Sequence, residues 1–318
     1  MIIFTFIIRN RTREILACST DKEEIMILKT LKLDKRRALV AILSCLGMVP
    51  LMTLFEGAAS AATLQEIKQR GYMIVATEDD YPPFEFVKDG VGMGLDHDLY
   101  RLLQKEGGFE IRQQILPWQG LLAGVATGQY DVALSAGIIT DERVKSLTFT
   151  MPIAPGTHFI VMRKGETRIN KIADLNGLTV GVQQGSAQFQ SLPELQETLE
   201  KGGGKLGKVV QYASYPEAYQ DLAAGRTDYV INSAVTVASL VRERPNVFQA
   251  GTFPVSRTSY HAWAVKRGNN ELRDYLNAFL KKTHENGTLY QLQEKWFGQS
   301  FRDMPRVGLL PGDRPMPD

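Results

Sequence analysis

Cysteine is scarce in this chain: 318 residues hold two, Cys18 and Cys45. Both fall in the part that reads as an export signal, so the exported protein has no disulfide framework and no thiol chemistry. An excess of charge of one sign is missing as well. The chain has 37 basic and 35 acidic side chains, which excludes a polyanion such as nucleic acid as the partner. The four histidines, His97, His158, His261 and His284, are scattered without HExxH spacing or cysteine partners. No serine stands in a G-x-S-x-G setting. Metal chemistry and serine hydrolysis are therefore not indicated. The glycine-rich "KGGGKLGK" (201–208) follows a helical stretch and lacks the Lys-Ser/Thr ending of a phosphate loop, so it reads as an exposed turn. "LDHDLY" (95–100) places Asp96, His97 and Asp98 in different directions around a helix start, where Asp96 reads as a cap.

What is present begins with the N-terminus. Residues 35–61 have the order of a signal peptide: Lys35-Arg36-Arg37, an apolar run over 38–55, and the small-residue site Ala59-Ser60-Ala61, whose cleavage leaves Ala62 first. Pro50 inside the run and the small-x-small ending argue against an uncleaved anchor. Cys45, preceded by Ile42-Leu43-Ser44, is poorly placed for lipid attachment. The polar stretch ahead of the basic cluster makes Met26 an alternative start. Removing residues 1–61 takes away nine Lys/Arg and six Asp/Glu, leaving 28 against 29. The mature chain is close to neutral and long enough for two modest cores.

From residue 62 short apolar runs alternate with amphipathic stretches, which predicts an α/β protein. Strands are expected at 73–77, 110–116, 130–135, 158–163, 178–182, 208–212, 228–232 and 262–266. Helices are expected at 95–106, 118–127, 186–200, 215–224, 233–243 and 270–285. "MPIAPGT" (151–157) and "TFPVSRTS" (252–259) interrupt the alternation. Read as two crossovers, they give a first lobe of 62–155 plus 256–318 and a second of 156–255, with a cleft between them. The Pro-rich C-terminal tail reads as loosely ordered.

The chemistry gathers after the strand ends. "TEDDYPPFEF" (77–86) follows the first strand, where open α/β sheets bind ligands. There Phe84 and Phe86 read as core, while Tyr81 in the polar turn reads as cleft lining, and Trp118 is similarly placed. Arg143 lies just beyond the strand "YDVALS", in a short turn capped by Thr140. A guanidinium there, among free backbone N–H groups, suits a bidentate carboxylate contact. A surface pairing of Arg143 with Asp141 or Glu142 is the competing reading.

The ordered motifs "MIVATEDDYPPFEF", "GMGLDHDLYRLL", "PWQGLLAGVATGQYDVALS", "ITDERVKSLTFTMP", "IADLNGLTVGVQQGSAQ", "AGRTDYVINSA" and "NGTLYQLQEKWFG" resemble the family 3 solute-binding proteins, the periplasmic receptors of amino-acid ABC importers. The resemblance covers nearly all of 64–300. It implies a two-lobed periplasmic binding protein of type II, α/β in class, with two hinge crossovers. It implies a periplasmic monomer that captures a small ligand bearing a carboxylate, a polar amino acid or derivative, and delivers it to a membrane permease without catalysis, cofactor or metal. By the resemblance Arg143 holds the α-carboxylate and Thr140 is the motif threonine. Ser135, Ala136 and Gly137 form the contacting strand end, Tyr81 and Trp118 sandwich the ligand side chain, and Ser186, Ala187 and Gln188 grip from the second lobe. Where the family usually has an aspartate for the α-ammonium group, this chain has Ser233, a hydroxyl without counter-charge. Compensation by Glu78 or Asp80, or a ligand without a free α-amine such as an opine or organic acid, then follows. Glu78, Asn232 and Gln188 are the residues expected to decide specificity. A cyclohexadienyl dehydratase-like activity is the enzymatic alternative, but the helix that would supply its acid carries none before Glu243. A soluble input to a membrane-bound sensor is a third reading.

Overall fold

The computed structural model describes residues 62–317, and the readings of the export signal and the start site lie outside them. The described chain opens with α1 (Leu64–Arg70), set by a reciprocal Thr63/Glu66 capping box, and β1 (Tyr72–Glu78). A small ribbon of β2 (Asp80–Tyr81), β3 (Glu85–Lys88) and β4 (Val91–Met93) leads to α2 (Leu95–Glu106). Then come β5 (Glu110–Leu116), α3 (Leu121–Thr127), β6 (Val132–Ile138), a 3₁₀ turn (Arg143–Lys145), β7 (Leu147–Phe149) and β8 (Ala154–Pro155). β1 pairs parallel with β5 and β6, and all seven residues of β6 are buried, as expected for a strand covered on both faces.

A second sheet follows: β9 (His158–Arg163), β10 (Val180–Gln183), α4 (Ala187–Gln190), α5 (Leu192–Lys201), β11 (Val209–Tyr212), α6 (Tyr215–Ala223), β12 (Tyr229–Ser233), α7 (Ala234–Glu243) and β13 (Phe248–Ala250), in the order β11-β10-β12-β9-β13. The chain then returns to the first sheet with β14 (Tyr260–Lys266), which lies antiparallel between β6 and β7, and packs α8 (Asn270–Glu285) and α9 (Thr288–Phe297) on that side. The result is a two-lobed α/β molecule. The two connections run side by side: Tyr260 and His261 pair with Pro155 and Ala154, the Gly156 amide donates to Ser259 O (2.7 Å), and the Val255 amide to His158 O (2.9 Å).

Several local expectations differ from this fold. The helix expected from Trp118 begins only at Leu121, because Trp118–Gly120 forms a turn that ends with Gly120 in the left-handed region (φ 84°). The stretch 186–200 is two helices, broken at Ser191, rather than one. Phe84 is core as expected, whereas Phe86 is only partly buried and meets the Trp296 ring edge-on. Asp96 is not a cap. Gly94 stands at the N-cap with φ 114°, and any Cβ there would overlap the Phe84 carbonyl. This close approach turns Asp96 inward to accept a hydrogen bond from the Trp263 indole (2.6 Å). The tail is also ordered: β15 (Leu309–Leu310) and β16 (Arg314–Pro315) form a hairpin. That hairpin docks on the returning crossover through the Gly312 amide to Thr258 O (2.7 Å) and Tyr260 to Asp313 (2.7 Å), and on the loop after β6 through Arg314 to Asp141 (2.7 Å).

Candidate functional site

The C-terminal ends of the parallel strands of both sheets converge on one cavity. Glu78 comes from the end of β1, Tyr81 from β2, Trp118 from the turn after β5, Ala136 and Ile138 from β6, and Arg143 from the 3₁₀ turn. Opposite them stand Gln183 from the end of β10, Ser186 to Gln188 at the start of α4, and Tyr215 at the start of α6. The ends of the strands carry the site because successive α/β units leave their loops and helix N-termini there.

The lobes are closed over this cavity. Its volume is about 20 Å³, room for about one water molecule. The walls are joined across the cleft: the Tyr81 hydroxyl donates to Asn232 Oδ1 (2.9 Å), Gln183 Nε2 to Glu78 (2.7 Å), and Arg143 Nη2 to Gly185 O (3.3 Å). Thr140 donates to Gln190 (3.1 Å) and Gln119 to Gln184 (2.6 Å) nearer the rim. A drug-sized ligand needs about 300 Å³ or more, so anything larger than a few atoms enters only after these bonds part.

Charge is confined to one wall. Arg143 is 6 % exposed, donates through Nη1 to Ile138 O (2.8 Å), and lies with its guanidinium 5.1 Å from the Trp118 ring centre. These bonds take two of the five guanidinium N–H groups, so the planar fork keeps donors for an anion. Burial lowers its pKa to about 10, which leaves it charged at neutral pH. Glu78 is the one carboxyl on the cavity wall. Burial pushes it up to about 8, against the Gln183 amide bond that favours its charged form. At neutral pH Glu78 is mostly protonated and the cavity wall is net positive.

Of the expected site residues, Glu78, Tyr81, Trp118, Ala136, Arg143, Ser186, Ala187 and Gln188 share this cavity. The other five lie beside it. Thr140 accepts from the Arg143 amide (3.1 Å), but the N-cap of the 3₁₀ turn is Glu142 rather than the expected Thr140, and Thr140 lines a neighbouring cavity of about 220 Å³. Ser135 is turned away and donates to Glu85. Gly137 is engaged in the sheet opposite Ala262. Asn232 lies one layer deeper, linking Tyr81, Gln188 (3.3 Å) and Tyr219 (2.8 Å). Ser233 caps α7, with its hydroxyl 3.0 Å from that of Thr236. The backbone of 136–138 was expected beside Arg143, and Ile138 is on the wall with its carbonyl accepting from that guanidinium rather than donating; two wall residues were not anticipated, Gln183 and Tyr215. Gln183 and Tyr215 obey the same strand-end rule that singled out Tyr81, and applying it to the second lobe would have found both. The Tyr215 ring lies tilted against Tyr81 (5.7 Å between ring centres), and its buried hydroxyl has no hydrogen-bond partner among the described residues. Among the described residues no group of acidic, histidine or cysteine side chains is arranged to hold a metal ion.

Comparison with known proteins places this geometry among binding proteins. The family model described as bacterial extracellular solute-binding proteins, family 3, matches residues 73–299. The L-cystine-binding protein TcyJ of Escherichia coli is 29 % identical over 265 residues, covering 83 % of this chain and 96 % of the relative. The crystal structure of AbpA, an amino-acid ABC transporter substrate-binding protein of Streptococcus pneumoniae bound to L-arginine, is 26 % identical with a TM-score of 0.66, covering 74 % of this chain and 98 % of that one. An ancestral amino-acid-binding protein described as a precursor of cyclohexadienyl dehydratase is 31 % identical, also at a TM-score of 0.66, covering 74 % of this chain and all of that one.

Proposed function

Since the chain belongs to the bacterial extracellular solute-binding proteins of family 3, we propose that it captures an amino acid or amino-acid derivative carrying both a carboxylate and a cationic group. It delivers that ligand from the periplasm to an ABC permease, as a monomer. The carboxylate meets Arg143 and the cation meets Glu78. The observation that carries this reading is the pairing of one guanidinium and one carboxyl on the same cavity wall, with no acid at Ser233. Glu78 thereby supplies the counter-charge that position 233 lacks. The lobes are taken as 62–155 with 256–318, and 156–255, hinged at the paired crossovers.

Binding without catalysis is favoured because α7, which begins at Ala234, carries no acidic residue before Glu243 at its far end. A general acid must reach the reacting group, and the other ionisable groups on the wall with Glu78 are Arg143 and the hydroxyls of Tyr81 and Tyr215, which burial pushes far above their ordinary range. Thermal-shift and calorimetric titration with L-arginine, L-cystine, L-histidine, L-glutamine and an N-substituted opine tests the reading. A ligand at a hundred times its dissociation constant stabilises by about 2.7 kcal/mol. Binding only of dicarboxylates that lack any cationic group would overturn the role given to Glu78, and silence from every carboxylate would overturn the site.

A further inference from the structure

Behind the ligand wall two carboxyl groups are buried together without a cation. Glu85, on β3, and Asp96, in the first turn of α2, are both fully buried. One oxygen of each is engaged: Glu85 Oε1 accepts from the Ser135 hydroxyl and from the Ala136 amide (3.2 Å), and Asp96 Oδ1 accepts from the Trp263 indole (2.6 Å). The other two, Glu85 Oε2 and Asp96 Oδ2, meet no donor group among the described residues. The two groups are brought together by the backbone, where the Asp96 amide donates to the carbonyl of Phe84, the neighbour of Glu85 (2.9 Å), and burial together with the nearby Asp96 carboxyl raises Glu85 well above the ordinary carboxyl range. Among the described residues neither makes an ion pair, and two like charges in a dry interior cannot both persist.

We infer that Glu85 and Asp96 share a single proton and act as a positioning pair for the strand end that carries the ligand wall. The pair closes a ring. Glu85 holds the Ala136 amide, His261 Nδ1 holds the Ala136 carbonyl (2.6 Å), and His261 lies two residues from Trp263, which returns to Asp96. Two residues beyond Ala136, the Ile138 carbonyl holds the Arg143 guanidinium (2.8 Å). The ring spans β3, α2, β6 and the returning strand β14, so it ties the hinge to the end of β6 that positions Arg143. It also occupies the Ser135 hydroxyl and the Ala136 amide, which accounts for a strand end that faces the ligand with apolar surface rather than with donors. The titratable groups facing the pair are Glu78 from β1, Tyr81 from β2 and His261 from β14. His261, which burial holds down at about 4, is neutral.

This positioning role rests on the function proposed above, but its test uses unliganded protein, so that the two fail separately. The indole N–H resonances of Trp263, bonded to Asp96, and of Trp118, beside Arg143, report the two ends of the ring. In Glu85→Gln the amide supplies the donor that the shared proton supplies in the wild type. The Trp118 resonance and the fold should therefore be retained, while only Trp263 shifts. In Glu85→Ala, and more mildly in Ser135→Ala, the end of β6 is released and Trp118 should shift too. The wild type should lose thermal stability as pH rises above the ordinary carboxyl range, because a buried carboxyl whose proton is held above that range contributes fully below it and loses its contribution as it is deprotonated in the fold. Glu85→Gln should flatten that loss. Equal pH profiles for wild type and Glu85→Gln, or Glu85→Gln as disruptive as Glu85→Ala, would overturn the shared proton. An unmoved Trp118 resonance in folded Glu85→Ala would overturn the positioning role. Where an amino acid of the panel binds, Glu85→Ala should weaken it about tenfold and Glu85→Gln by less than about threefold.

Discussion

The two walls of the cleft do different work. The first lobe presents a guanidinium, a carboxyl and the rings of Tyr81 and Trp118, whereas the second presents Gln183, Ser186, Gln188 and Tyr215, amides and hydroxyls without charge. Charged groups are strong but unforgiving anchors, since a buried charge left unpaired costs several kcal/mol. Neutral amides rearrange cheaply between protein and ligand partners. Across the cleft Gln183 and the Gly185 carbonyl bond Glu78 and Arg143, and these neutral partners are ones that the groups of a ligand can replace. On the proposed function, selection belongs to the first lobe and closure to the second.

The largest effect expected on this division comes from Arg143→Ala, which removes a charge-assisted bidentate contact worth about 3 kcal/mol, or roughly a hundredfold in affinity by calorimetry. Wild-type affinity in that variant would erase the distinction between the walls. Next is Glu78→Gln, expected to cost roughly tenfold for a cationic ligand and, more tellingly, to abolish a pH dependence. The Glu78 proton must leave before the carboxyl can pair with a cation, so wild-type affinity should rise with pH toward about 8 and then level off, with proton release on binding. Stability of the unliganded protein runs the opposite way. The protonated group contributes most below 4.5 and its contribution is lost as pH rises through about 8. Calorimetry at several pH values and thermal melts of both proteins check the two slopes. On the neutral wall Gln183→Ala should change affinity by less than about tenfold, because the group it leaves is a ligand-accessible carboxyl. A larger loss would show that the second lobe selects as well as closes. The smallest effect is expected from Tyr215→Phe, which removes a hydroxyl without a partner in the closed state. A loss above about threefold by calorimetry would mark that hydroxyl as a ligand contact.

Periodicity and strand-end position made the α/β class and most of the first-lobe wall legible in the sequence, because both depend on local order along the chain. Tyr81, Trp118 and Arg143 each follow a strand that pattern alone could place. Tyr215 and Gln183 obey the same rule yet were passed over, since an aromatic at a helix start and a glutamine at a strand end have many commoner uses. Asp96 was misread for a different reason. Its spacing fits a cap, and only the close approach of Gly94 to the Phe84 carbonyl turns it toward Trp263, 167 residues away in sequence.

By itself, then, the order of residues determined the alternating elements, the two crossovers and a guanidinium just past a strand end. These follow from side-chain periodicity and from the backbone preferences of neighbours. Which polar groups face the cavity was decided only by the packed molecule. Ser135 turns to Glu85 and Ser233 to its own helix, while Glu78 is left on the wall. Each of those outcomes depends on partners brought together by two sheets closing on one another, a contact that no local stretch encodes.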